Sequence, residues 1–209
     1  MTIDEPPAPP ESLLARLRAD PVRAPEHLAL AAAERHGPAA AEWRAEQGGE
    51  DPAQLAKRAK RSHARMARIG GAATGVGGWL TVLPDLAAVG WIQSRMTFFI
   101  AAAHGYDPRD PMRPAELLVL WELYDDPLQA REALDGAGRS VASAAAKRAV
   151  TPSGDDQALL GRLARAAAAR GGRHMAGRLI PGAAILFNAV GNERATRALA
   201  DRAIRFYGG

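Results

Sequence analysis

The sequence predicts an all-α protein, a compact helical bundle built around two glycine-rich apolar helical hairpins. Three observations point there. Hydrophobic residues make up 47% of the 209 positions while aromatics make up only 5%, so much of the apolar content is alanine. Alanine favours helix and close packing, and β-branched residues, which favour strands, are few. The apolar positions also recur at helical spacing between proline and glycine breaks. Finally, glycine is concentrated in one apolar run, IGGAATGVGGWLTVLPD at 69–85, with an echo near the C-terminal end.

Length allows one domain, or one domain with an appended arm, and is sufficient for a real core. The absence of cysteine removes disulfides, thiolate metal sites and thiol catalysis. A formal charge of +4 is mildly basic and mostly arginine, which is weak evidence for nucleic acid. The opening MTIDEPPAPPESLL is acidic and proline-rich, the opposite of a signal peptide's plan. The expected location is therefore cytoplasmic. No window holds the roughly 18–20 uninterrupted apolar residues of a spanning helix, since Pro84–Asp85 interrupts the best candidate at 69–94.

Residues 1–11 are expected to be a disordered tail and 12–50 an N-terminal helical arm of short pieces separated by Pro21, Pro25 and Pro38. The main domain is expected over 51–209. Asp51 reads as an N-cap, Pro52 suits the first helical position and Gln54 completes a capping-box pattern. The helix that follows carries Lys57, Arg58, Lys60, Arg61, His63, Arg65 and Arg68. A second helix is predicted from Asp85 to about His104, ended by Gly105. Pro114 opens a short apolar helix, and Asp126–Pro127 caps the next. The last segment, GRLIPGAAILFNAVGNERATRALADRAIRFY, reads as a second glycine-rich turn followed by a terminal helix.

Dense glycine has three readings. A phosphate loop needs a preceding strand and a third glycine at the right spacing, or a following Gly-Lys-Ser/Thr, and neither pattern is present. A linker would be polar, whereas Trp79, Leu80, Val82 and Leu83 follow directly. Close packing remains. Gly70, Gly71, Gly75, Gly77 and Gly78 strip a helix surface of side chains, with Gly71 and Gly75 at small-xxx-small spacing. Each glycine costs about 0.8–1 kcal/mol of helix propensity, so a compensating contact is required within the fold, with a partner or with a bilayer.

On the helix after Pro84, Leu86, Val89, Ile92, Met96, Phe99 and Ile100 share a broad arc and Trp91 and Phe98 a neighbouring one. A helix apolar nearly all round is buried or in contact with lipid. Asp85, Gln93 and His104 lie on the same arc, and Asn188 and Asn192 share an inward arc on the second hairpin. These groups either cap helices and bond between them, as buried polar groups must, or form a polar site for a small ligand or ion.

The cationic helix offers Lys57, Arg58, Lys60, Arg61, Arg65 and Arg68 as candidate contacts for anionic lipid. The alternative is a solvated face paired with acids such as those at 122–126. Nucleic acid is disfavoured by the lack of interleaved aromatics. His27, His36, His63, His104 and His174 have no partner at metal-ligand spacing, so no metal site and no cofactor are expected. Serine lacks a nucleophile-elbow context, and the paired acids at 125–126 and 155–156 sit at predicted helix starts. No catalytic residues are assigned, and the expectation is a non-enzyme.

The run GAATGVGGWLTVLPDLAAVGWIQSRMTFFIAAAHGYD resembles the signature of the EcsC protein family. The matching parts are the glycine run, Leu83-Pro84-Asp85-Leu86, Gln93 eight residues after the aspartate, and Ala103-His104-Gly105-Tyr106-Asp107. The final segment is similar through Pro181, Asn188, Asn192 and Thr196, and the resemblance covers roughly residues 55–207. It implies a helical, hydrophobic, often membrane-associated protein, linked to secretion and to a component encoded with an ABC transporter. It implies no catalytic residues. The expected partner is the inner membrane surface or a membrane protein resembling an ABC transporter, with a homo-oligomer as a further expectation. A competing expectation is a soluble helical protein whose pocket between the hairpins binds a small ligand or serves an unrecognised enzyme.

Overall fold

The computed structural model describes residues 8–72, 82–136 and 192–209, with the side chains of residues 21, 68–72, 82–86 and 192 outside that description. Every regular element among the described residues is helical: α1 (Glu11–Ala19), a 3₁₀ turn (Pro21–Arg23), α2 (Ala24–Glu46), α3 (Pro52–Ala72), α4 (Val82–Ala103), α5 (Arg113–Leu120), α6 (Pro127–Leu134) and α7 (Asn192–Gly208). The all-α expectation is met.

Local signals explain several helix ends. Asp51 accepts bonds from the backbone N–H groups of Ala53 at 3.4 Å and Gln54 at 3.2 Å, which starts α3. Asp126 likewise accepts from Leu128 N at 2.5 Å and starts α6. Gly105 and Gly136 adopt positive φ just past α4 and α6, a conformation that glycine takes without steric cost.

The arm differs from its expected form. Instead of pieces broken by proline, α2 runs 23 residues without interruption through Pro38. Pro38 is exposed, so the carbonyl it leaves without a helical partner can bond to water. Packing outweighs the proline: Leu28, Ala29, Ala32, His36, Ala40 and Trp43 are all buried along one side of α2. They belong to the same core as α4, so α2 forms one wall of the bundle.

The centre of that core is α4, which touches α2, α3 and α7. Residues 93–103 are buried without exception. Its apolar circumference is covered over this stretch by the chain's own helices. The ring centroids of His63 and Phe99 lie 5.5 Å apart, and Asp51 is near enough to His104 to favour its charged form, so α3 runs antiparallel to α4. The nine residues joining them, 73–81, lie outside the described residues, as does the second expected hairpin apart from α7. No helix among the described residues is long and apolar enough to cross a membrane.

Two glycines make close approaches that the sequence reading did not single out. A Cβ on Gly37 would lie 2.8 Å from the Pro108 carbonyl oxygen, and one on Gly90 would lie 2.6 Å from Leu28 Cδ2. Of the glycines expected to pack closely, Gly70 and Gly71 fall in the final turn of α3, while Gly75, Gly77 and Gly78 lie outside the described residues.

Candidate functional site

Four polar groupings are candidates, and the first is the line between α4 and α7. Gln93 is buried and its Nε2 donates to Thr196 Oγ1 at 3.3 Å. Eleven residues further along α4, His104 lies against α7 at Gly208, where an added Cβ would be 3.3 Å from its ring. The two contacts advance together, so α4 and α7 run parallel. Gln93 and His104 are about 16 Å apart along the helix axis, and the structure does not bring them into one pocket. Burial lowers the His104 pKa, while Asp51 works against that shift. Its Nε2 has no hydrogen-bond partner among the described residues. Asn188 lies outside the described residues, as do the side chains of Asp85 and Asn192.

A second grouping, missed in the sequence, closes the far end of α7. The Arg113 guanidinium, with its side chain 7% exposed, pairs with Glu116 and with Asp110. It sits 5.3 Å from the Tyr106 ring centroid and 5.6 Å from that of Tyr207. Tyr207 donates to Glu116 Oε2 at 2.7 Å. Burial raises the Glu116 pKa against the pull of Tyr207 and Arg113, and burial together with Glu116 raises that of Tyr207. Charged residues are ordinarily read as surface, so only the aromatic residues near both segments hinted at this cluster.

The third grouping lies where α2, α3 and α4 meet. His36 packs at a tilt against Trp91 with centroids 4.4 Å apart, and Trp43, His63 and Arg95 surround Phe99. His63 Nδ1 lies 2.8 Å from the Ala59 carbonyl oxygen, so this nitrogen carries the proton and donates. Burial, reinforced by Arg95, pushes His36 down to about 3, and burial pushes His63 down to about 3. Both imidazoles are therefore neutral at pH 7. Among the described residues no three or more His, Cys, Asp or Glu side chains are grouped so that they could hold a metal ion.

The last grouping is the cationic helix itself, which the structure divides. Arg58 bonds to Glu50 and to Gln47 Oε1, and Lys60 pairs with Asp201 of α7. Of the acids at 122–126, Glu122 pairs with Arg202 of α7, at 3.4 Å. Lys57, Arg61 and Arg65 are exposed and, among the described residues, have no acidic partner. At i, i+4 and i+8 they form one row along the outer face of α3. The side chain of Arg68 lies outside the described residues.

The profile of the EcsC protein family matches residues 49–208. This chain belongs to the EcsC family. The EcsC region so defined holds α3 to α7, and with them both the basic row and the polar line of Gln93 and Thr196. No curated protein and no solved structure matches the chain.

Proposed function

We propose that this EcsC-family chain is a non-enzymatic interaction module that docks reversibly on the anionic inner face of a membrane. The observation that carries the proposal is the row Lys57, Arg61 and Arg65. Like charges at i, i+4 destabilise an isolated helix by about 0.2–0.5 kcal/mol per pair, and no acid on α3 offsets them. An anionic lipid surface would reward each by roughly 1 kcal/mol. In sequence the row also shortly precedes the charge-poor run 69–84.

The alternative reading, a ligand pocket between hairpins, has less support. Gln93 is engaged by Thr196, and His104 is three turns away. Co-flotation tests the proposal. The protein should rise with phosphatidylcholine vesicles containing phosphatidylglycerol at low salt and be released by high salt. Protein that remains in solution with those vesicles at low salt overturns the lipid reading and leaves a membrane protein, such as a transporter, as the partner to test.

A further inference from the structure

The basic row of α3 has a neighbour on α7. Lys60 and Asp201 join the two helices at 2.5 Å, and the meeting of Asp51, His104 and Gly208 at one end makes them antiparallel. At 100° per residue, Arg194, Arg197 and Arg205 all stand within about 40° of Asp201 around α7. They therefore share the side of α7 that borders the outer face of α3. Their charges are not equivalent. Arg197 is held by Glu193 at 2.8 Å, while the exposed Arg194 and Arg205 have no acidic partner among the described residues. Arg202, further round the helix, donates to the Leu120 carbonyl and pairs with Glu122.

We infer that α3 and α7 together form one docking face for anionic lipid headgroups, with Lys57, Arg61 and Arg65 on one helix and Arg194 and Arg205 on the other. This rests on the membrane-docking reading above and adds α7 to it. The two acids within the face are both engaged, Asp201 by Lys60 and Glu193 by Arg197, so its remaining field is positive. Packed helices lie 8–10 Å apart, so two parallel rows give a flat face rather than a protruding edge. A flat face suits a plane of headgroups better than the groove of a duplex, which is entered by one projecting element.

The test is vesicle binding by the full chain, using phosphatidylcholine with and without phosphatidylglycerol. Replacing Arg194 and Arg205 together by Gln should weaken binding about thirtyfold and flatten its salt dependence. Asp201→Asn should tighten binding about fivefold, because it removes an acid from the face and frees Lys60. Circular dichroism melts confirm that each variant is folded. If the wild type ignores both vesicle types, the membrane reading fails and this inference with it. If the wild type binds and Lys57→Gln/Arg61→Gln/Arg65→Gln releases it while the α7 variants match the wild type, the inference is overturned and the α3 reading survives. Salt-sensitive binding to a DNA duplex without vesicle binding overturns both.

Discussion

Arg113 and the row Lys57, Arg61 and Arg65 carry the same charge in opposite surroundings. Arg113 is almost wholly enclosed by Asp110, Glu116 and two tyrosine rings. The row faces solvent and has no acidic partner among the described residues. Elsewhere in the interior, Gln93 is bonded to Thr196, and Tyr124 donates to Glu26. The contrast teaches that buried charge here ties α7 to the start of α5, whereas the exposed row on α3 has no such acidic tie among the described residues.

The largest expected effect would show whether the interior tolerates a charge without a counterion. His36 and His63 are held neutral, with pKa values lowered from 6.5 to about 3. Their contribution is therefore complete above the unfolded value of 6.5 and is lost as pH falls toward 3. At pH 5 each histidine should have cost the fold about 2 kcal/mol, because the unfolded chain takes up a proton that the folded chain refuses. Urea midpoints at pH 7 and pH 5 measure this. The wild type should lose about 4 kcal/mol more than a His36→Gln/His63→Gln variant over that interval, and equal losses would remove the distinction between inside and outside.

A somewhat smaller effect is expected from Arg113→Ala. The change leaves Glu116 buried without its cation and should cost about 3 kcal/mol, read as a lower urea midpoint at pH 7. A midpoint within the error of the wild type would mean that the cluster is decorative. Smallest is the effect of Lys57→Gln/Arg61→Gln/Arg65→Gln on folding. Removing two like-charge i, i+4 pairs should leave stability unchanged or raise it by a few tenths of a kcal/mol at low salt, and salt should erase the gain. Clear destabilisation would show that the row is structural after all.

Much of this was legible in the chain. The caps at Asp51 and Asp126, the start of α5 near Pro114 and the end of α4 before Gly105 are set by local chemistry, which sequence displays directly. The unbroken α2 was not legible. Pro38 is a local break signal, overruled by apolar positions that pack along the whole helix against α4. The basic helix was recognisable as cationic, but which cations were free was not, since Lys60 finds its acid 141 residues away. Gln93 was marked as inward-facing, yet its partner Thr196 is 103 residues distant and belongs to another helix. The acids of Arg113 are local, three residues to either side, but the Tyr207 ring that completes its enclosure comes from α7 and is not announced by the sequence around it.

The position of α7 in the chain has a consequence for biosynthesis. Leu199, Ala200, Ala203 and Tyr207 fill the core from a helix that follows all the others described, against α3 and α4, which precede it by a hundred residues or so. While the ribosome is still translating up to residue 192, the sides of α3 and α4 that α7 will cover are open. The apolar surface that Leu199, Ala200, Ala203 and Tyr207 cover on α3 and α4 therefore waits for α7, and a nascent chain held short of it is the form most exposed to aggregation.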